Sequence, residues 1–239
     1  SYEFVILEVN GASCEFGLDD IYWDGCGTNN IIEVDYYQNW NLVGLPLEIE
    51  NSNYQTLFSE STVGTLYSYN LEQYVLGEEL QMGNGYWIHF ENEGTTQLSG
   101  IPVNEMTLQL NAGWNLISGI SSVVGLTGIS DPGNIVVPGT IFEFTGSYDY
   151  ATLLTPGHGY WIYASTDGDI TISSGNSSRK NTFNPENLDK VNKLSFNGYE
   201  LYFGISISEK EMASYQLPPK PPAGAFDLRF KDGWRVVKD

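Results

Sequence analysis

Short stretches of alternating apolar and polar residues, each closed by Gly, Asn, Ser or Pro, follow one another along this chain. Ile32, Val34 and Tyr36 alternate with Glu33 and Asp35, and Met106, Leu108 and Leu110 alternate with Thr107 and Gln109. A period of two places each trio on one face of a β-strand. Further strands are expected at Gly64–Tyr69 and Gly139–Phe144, at the two Gly-Tyr-Trp-Ile segments, and at 95–100 and 170–175. Only Leu71–Leu80 and Asn184–Val191 look mildly helical, and both are short. No apolar run approaches the roughly 18 residues that a membrane-spanning helix needs.

These strands come in two sets. Trp40-Asn41-Leu42 returns as Trp114-Asn115-Leu116, and Gly83-x-Gly85-Tyr86-Trp87-Ile88 returns as Gly157-x-Gly159-Tyr160-Trp161-Ile162, both 74 residues on. The Gly-Thr-aromatic strand between them recurs at a step of 75, so a one-residue length change lies on either side of it, as variable loops allow. A repeat this regular makes each copy one supersecondary or domain-sized unit. The expected fold is therefore all-β, with two tandem homologous sandwich- or barrel-like modules at 31–104 and 105–178. A small N-terminal β segment (1–30) and a hairpin-rich C-terminal extension (179–239) flank them. Two separate units and a pair about a pseudo-twofold axis both remain open, and the short linker Ile101-Pro102-Val103-Asn104 favours close contact.

Charge divides the chain differently. All ten Lys and Arg residues lie from Arg179 onward, whereas residues 1–178 carry 22 acids and no base. Such a surface repels phosphate backbones, which argues against nucleic-acid partners. It also leaves the repeats without a Schiff-base lysine or an arginine phosphate clamp. Cys14 and Cys26, with no third Cys or nearby His, read as a disulfide closing a short loop, which places the chain in an oxidising compartment. Secretion fits charge, cysteines and composition together. A chain that opens on Ser1 reads as a mature or excised fragment.

The C-terminal extension has its own signals. Asn197-Gly198 and Asp232-Gly233 each sit between alternating apolar residues and predict hairpins. Between them, Leu217-Pro218-Pro219-Lys220-Pro221-Pro222 must be extended polyproline. The runs Tyr199–Gly204, Ser214–Pro222 and Gly224–Phe230 together resemble a segment of large exported bacterial proteins, just ahead of the sorting domain of the type IX secretion route. The Trp-Asn-Leu and Gly-Tyr-Trp-Ile repeats are similar to β modules of such surface proteins. The resemblance implies architecture, export and the bacterial cell surface, with anchoring through a longer parent. It implies no catalytic role.

The four repeated tryptophans suggest sugar stacking, yet their apolar neighbours favour buried, repeat-defining roles. Aromatics in polar, copy-specific loops are the better glycan candidates: Tyr148 and Tyr150, Tyr54, and Trp23 inside the cysteine loop. Ca²⁺ needs hard oxygen ligands, and the acids best placed to supply them are Asp19, Asp20 and Asp24 in the cysteine loop and Asp167 with Asp169 in a turn. Neither set matches the twelve-residue calcium loop. The two histidines, His89 and His158, are not repeat-equivalent and point to structural or solvent-facing roles. Carboxylates such as Glu48 and Glu50 or Glu78 and Glu79 make a glycosidase formally possible, but nothing singles out one pair. The leading expectation is a non-catalytic surface module for adhesion, spacing or glycan binding. Its partner would be a polysaccharide or another surface protein. Alternatives are a part of a polysaccharide-degrading enzyme and a fibre subunit that self-associates by strand donation. Because the copies share scaffold residues, specific binding is expected where they differ, as at Asn84 against His158.

Overall fold

The computed structural model describes residues 29–70, 72–176 and 191–238. Module 1 contains β1 (Asn30–Tyr36), β2 (Asn39–Gly44), β3 (Leu47–Glu48), the single-turn helix α1 (Tyr54–Leu57), β4 (Tyr67–Asn70), β5 (Gln73–Leu76), β6 (Gly85–Phe90) and β7 (Gly94–Pro102). Module 2 contains β8 (Glu105–Leu110), β9 (Gly113–Ser118), β10 (Val124–Gly125), β11 (Ile129–Ser130), β12 (Phe142–Phe144), β13 (Tyr148–Tyr150), β14 (Leu153–Leu154), β15 (Gly159–Ala164) and β16 (Gly168–Ser173). The extension adds β17 (Asn192–Phe196), β18 (Tyr199–Ile205), α2 (Glu209–Met212) and β19 (Val236–Lys238). The fold is all-β, and the two modules are homologous in structure as in sequence. Leu71–Leu80 is not helical where described: Gln73–Leu76 pairs with β4 as a hairpin, since Tyr69 and Tyr74 gain a cross-strand aromatic contact there.

Each module is a small sandwich. In module 1, sheet β1-β7-β3 faces sheet β2-β6-β4-β5; in module 2, sheet β11-β16-β8 faces sheet β13-β12-β15-β9. The cores are Val34, Val43, Tyr86, Ile88 and Phe90 with their neighbours in module 1, and Leu110, Ile117, Tyr160, Ile162 and Ile172 in module 2. β6 and β15 are buried on both faces. Their alternate residues, Trp87 and Trp161, point away from their own cores into a third apolar layer with Leu42, Leu116, Phe142 and Phe144. The four main sheets of the two modules therefore stack with the two four-stranded sheets back to back. Trp87 and Trp161 are both fully buried in that central layer. An aromatic ring of this size removes about 200 Å² from water, worth roughly 5 kcal/mol at about 25 cal/mol per Å². That is comparable with the whole net stability of a domain, so the modules form one packed unit.

The pairing follows a pseudo-twofold axis. Gly44 N donates to Gly157 O at 3.0 Å, and the equivalent Ser118 N donates to Gly83 O at 3.0 Å. Val43 bridges His158, and Ile117 bridges Asn84. The glycines of the Gly-x-Gly-Tyr-Trp-Ile motif allow this approach. A Cβ on Gly83 would meet Leu108 at 2.5 Å, and one on Gly157 would meet the equivalent Val34 at 2.2 Å. The other repeat-defining residues hold turns. Asn41 bonds Tyr37 N and O and Asn39 O, and Asn115 does the same for Asn111 and Gly113. Tyr86 and Tyr160 accept from Gln81 N and Thr155 N through their hydroxyls.

The extension docks on this pair. β17 and β18 form the hairpin expected at Asn197-Gly198. The Asp232-Gly233 turn closes through Gly233 N to Phe230 O and Phe230 N to Trp234 O, both at 3.0 Å, but the hairpin extends no further. Instead β19 runs parallel to β18, where Val236 is buried. Leu217 enters the central aromatic layer, and the proline-rich run after it crosses the axis as a strap. Tyr148 Oη donates to Pro219 O and its equivalent Tyr74 Oη to Lys220 O, both at 2.7 Å. Arg229 is held by Asp227 and donates to Pro218 O at 2.7 Å. No described helix is long and apolar enough to cross a membrane.

Candidate functional site

The expected binding aromatics are mostly committed elsewhere. Tyr148 is not an exposed loop residue: its ring is 6% exposed, packs against Phe144, and lies beneath the Arg229 guanidinium at 5.9 Å. Burial drives its hydroxyl well above the usual tyrosine range. Tyr150 sits under Arg235 at 5.3 Å, and burial pushes its hydroxyl up to about 12. The Tyr148–Tyr150 strand, the counterpart of β5, thus receives the cations of the C-terminal extension, which the repeats lack. Tyr54 is buried in the core of module 1, where its hydroxyl accepts from Gly64 N at 2.7 Å. In both cases an apolar ring in a polar sequence loop is claimed by a distant segment, which local pattern does not reveal.

Asp167 accepts from Ala112 N at 2.7 Å and so braces the turn into β9, while Asp169 lies opposite Gln109 in the β16–β8 ladder. Among the described residues, no three His, Cys, Asp or Glu side chains gather as a cation site. Trp23, the carboxylates Asp19, Asp20 and Asp24, and the Cys14–Cys26 pairing lie outside the described residues.

The central pair creates two grooves at equivalent places. The larger, about 960 Å³, runs between the β4–β5 hairpin and the 77–85 loop of module 1 and strands β8 and β9 of module 2. Its half-buried aromatics are Trp114, Tyr69 and Tyr163, while Tyr86 reaches it from the module 1 core and is itself buried. Around them stand Asn70, Gln81, Asn84, Thr107, Gln109 and Asn111, with Glu72 and Glu79 at the margin and Gln216 where the strap enters. Among the described residues, no Lys, Arg or His lines it. Asn84 Nδ2 donates to Gln81 Oε1 at 3.2 Å, so the amides of this wall are held together and not splayed. Amides and hydroxyls supply both donors and acceptors, and half-buried aromatics supply flat apolar faces.

The twin groove is smaller, about 150 Å³, and is lined by Tyr37, Glu143, Phe144, Thr155, His158 and Tyr160 among others. Burial lowers the His158 pKa, with Asp35 partly opposing it. Burial, aided by Asp149, raises that of Glu143. The Asn84/His158 difference marks corresponding points of the two grooves. The sequence flagged that difference; it also raised sugar stacking for Trp114 but favoured burial, whereas Trp114 is only half-buried. Tyr69 and Tyr163 were not singled out, because only the pairing of the modules brings these rings together.

Compared with known proteins, the chain matches no family model, no curated protein and no solved structure.

Proposed function

We propose that this chain is a non-catalytic glycan-binding module of a larger exported surface protein, with the larger groove as its site. The observation that carries this reading is the groove's lining: Trp114, Tyr69 and Tyr163 among Asn, Gln and Thr side chains from both modules, without a cation among the described residues. Sugars are recognised by stacking on flat rings while hydroxyls bond planar amides, and a concave, uncharged-to-acidic channel suits a neutral polymer chain. The acidic, base-free repeats and the export-type C-terminal motifs support a place outside the cell. Affinity electrophoresis of the full chain through gels containing neutral plant, algal and microbial polysaccharides tests the reading. Retardation that Trp114→Ala abolishes supports it, and free migration through every gel sinks it. Release of reducing ends from a retarding polysaccharide would replace it with an enzyme.

Self-association has one observation in its favour. β17 pairs only with β18 among the described strands, and all five of its residues are exposed, Leu194 and Phe196 included. An unguarded edge of this kind accepts an added strand. Concentration-dependent filaments in electron micrographs, lost in Leu194→Pro, would favour a fibre subunit; a monomer at all concentrations would remove it.

A further inference from the structure

Trp40 and Trp114 hold the same pose in the two modules. Their rings meet Trp87 and Trp161 at 6.4 and 6.2 Å with interplanar angles of 90° and 89°. They meet the equivalent Tyr67 and Phe142 at 5.9 Å each, and His89 and Tyr163 at 5.3 and 5.2 Å. Their indole nitrogens differ in one respect. Trp40 Nε1 donates to the Ala223 carbonyl at 3.1 Å, with Gly224 of the strap against the same edge. Trp114 Nε1 has no hydrogen-bond partner among the described residues. Unlike the nitrogen of Trp161, it is not sealed from solvent. Trp114 lines the large groove, which the strap leaves uncovered beyond Gln216.

The strap shows what this indole edge takes: a secondary amide presenting its carbonyl, with little bulk beside it. We propose that the large groove selects glycans carrying acetamido groups, with Trp114 Nε1 donating to the acetamido carbonyl. This rests on the glycan reading above and specifies its ligand. An acetamido substituent, CH₃–CO–NH, is a peptide unit in miniature, so it reproduces at Trp114 the contact that Ala223 makes at Trp40. Asn84, Gln81 and Gln109 then face the ring hydroxyls on either side. Sulfated or uronic chains are disfavoured, because the described residues of the groove offer Glu72 and Glu79 and no cation. A proline-rich peptide is the competing occupant. On the twin side, however, the strap is seated by Leu217 inside the aromatic layer and by paired tyrosine hydroxyls. The open groove presents mostly amides instead.

Isothermal titration of the full chain with penta-N-acetylchitopentaose, cellopentaose and a peptide of sequence Leu-Pro-Pro-Lys-Pro-Pro-Ala-Gly-Ala tests this directly. The acetylated sugar should bind at least tenfold more tightly than cellopentaose. Trp114→Phe, which removes only the donor, should bring the two sugars level, while Trp40→Phe should keep the preference. In the unsubstituted chain, one indole N–H resonance should shift with the acetylated sugar and not with cellopentaose, a readout that survives if Trp114→Phe fails to fold. Equal binding of both sugars, or a preference unchanged in Trp114→Phe, overturns the acetamido assignment and leaves glycan binding intact. Binding of the peptide alone overturns both; binding of none of the three overturns the acetamido assignment, and the polysaccharide gels then decide the glycan reading.

Discussion

Gly44 and Ser118 occupy the same position in the two repeats and face one another across the pseudo-twofold axis, so closely that a Cβ on Gly44 would fall 2.1 Å from Ser118 Cβ. The axis has room for one side chain, and the sequence difference between the copies supplies one. Gly44→Ser should therefore destabilise the chain by about 3 kcal/mol, the upper end for overpacking a rigid core. Ser118→Gly should cost no more than about 1 kcal/mol, from the backbone freedom of glycine, since the hydroxyl it removes is buried without a partner among the described residues. Exchanging both residues restores a single Cβ at the axis, so the double variant should recover most of the loss. Chemical denaturation of the four proteins gives a coupling energy, and simple additivity would refute the close approach. Gly77→Ala, whose Cβ would meet only Leu66 at 3.7 Å, should stay within about 1 kcal/mol of the parent.

The two buried tryptophans should not respond alike. Trp87 Nε1 donates to Tyr74 Oη at 3.2 Å, whereas Trp161 Nε1 is buried with no hydrogen-bond partner among the described residues. Replacing each by Phe removes similar area, so the difference reports the indole N–H. Trp87→Phe should cost about 1–2 kcal/mol more than Trp161→Phe, because an unmet buried donor is itself unfavourable. Equal losses of stability in urea would mean that the Trp161 nitrogen finds a partner in solution.

The strands were legible from alternation, because Val34 and Tyr36 turn inward while Glu33 and Asp35 turn out, as period two requires. The continuous apolar run Tyr86-Trp87-Ile88 gave no such direction. Only the back-to-back pairing explains why both its faces are buried. That same pairing hid the candidate groove, whose walls lie in different repeats: Asn84 and Trp114 are neighbours through the axis and not through sequence. Tyr148 misled for the converse reason. Its polar loop reads as exposed until Pro219, 71 residues away, closes over it.

His158 links the twin groove to pH. Burial depresses its pKa below the ordinary histidine value of 6.5 in the folded state. The unfolded chain therefore binds a proton first as pH falls. Stability from this residue is present above about pH 6.5 and is lost as acidity increases, with a slope of at most about 1.4 kcal/mol per pH unit. His158→Asn copies the residue at the equivalent position of module 1 and should flatten the melting temperature between pH 7 and pH 5. An unchanged profile in the variant would show that His158 is not the source of the acid sensitivity; Glu143 does not supply it either, since its raised carboxyl pKa favours the folded chain as pH falls.

The strap should yield at high pH and through one tyrosine more than the other. Tyr74 Oη both donates to Lys220 O and accepts from Trp87 Nε1, whereas Tyr148 Oη donates to Pro219 O alone among the strap carbonyls. Tyr74→Phe loses two bonds and leaves the buried Trp87 donor unmet, so it should cost about 2–3 kcal/mol, against about 1 kcal/mol for Tyr148→Phe. Burial also raises the hydroxyl pKa of both residues, and that of Tyr150 to about 12, above the ordinary 10.0. In the unfolded chain these phenols ionise first. Their contribution is thus complete below pH 10 and is lost as pH rises from there toward 12. Ultraviolet titration of tyrosinate should show a group of late-ionising residues whose release coincides with unfolding. Smooth titration of every tyrosine near pH 10 in a still-folded protein would mean that the strap does not seal the aromatic layer.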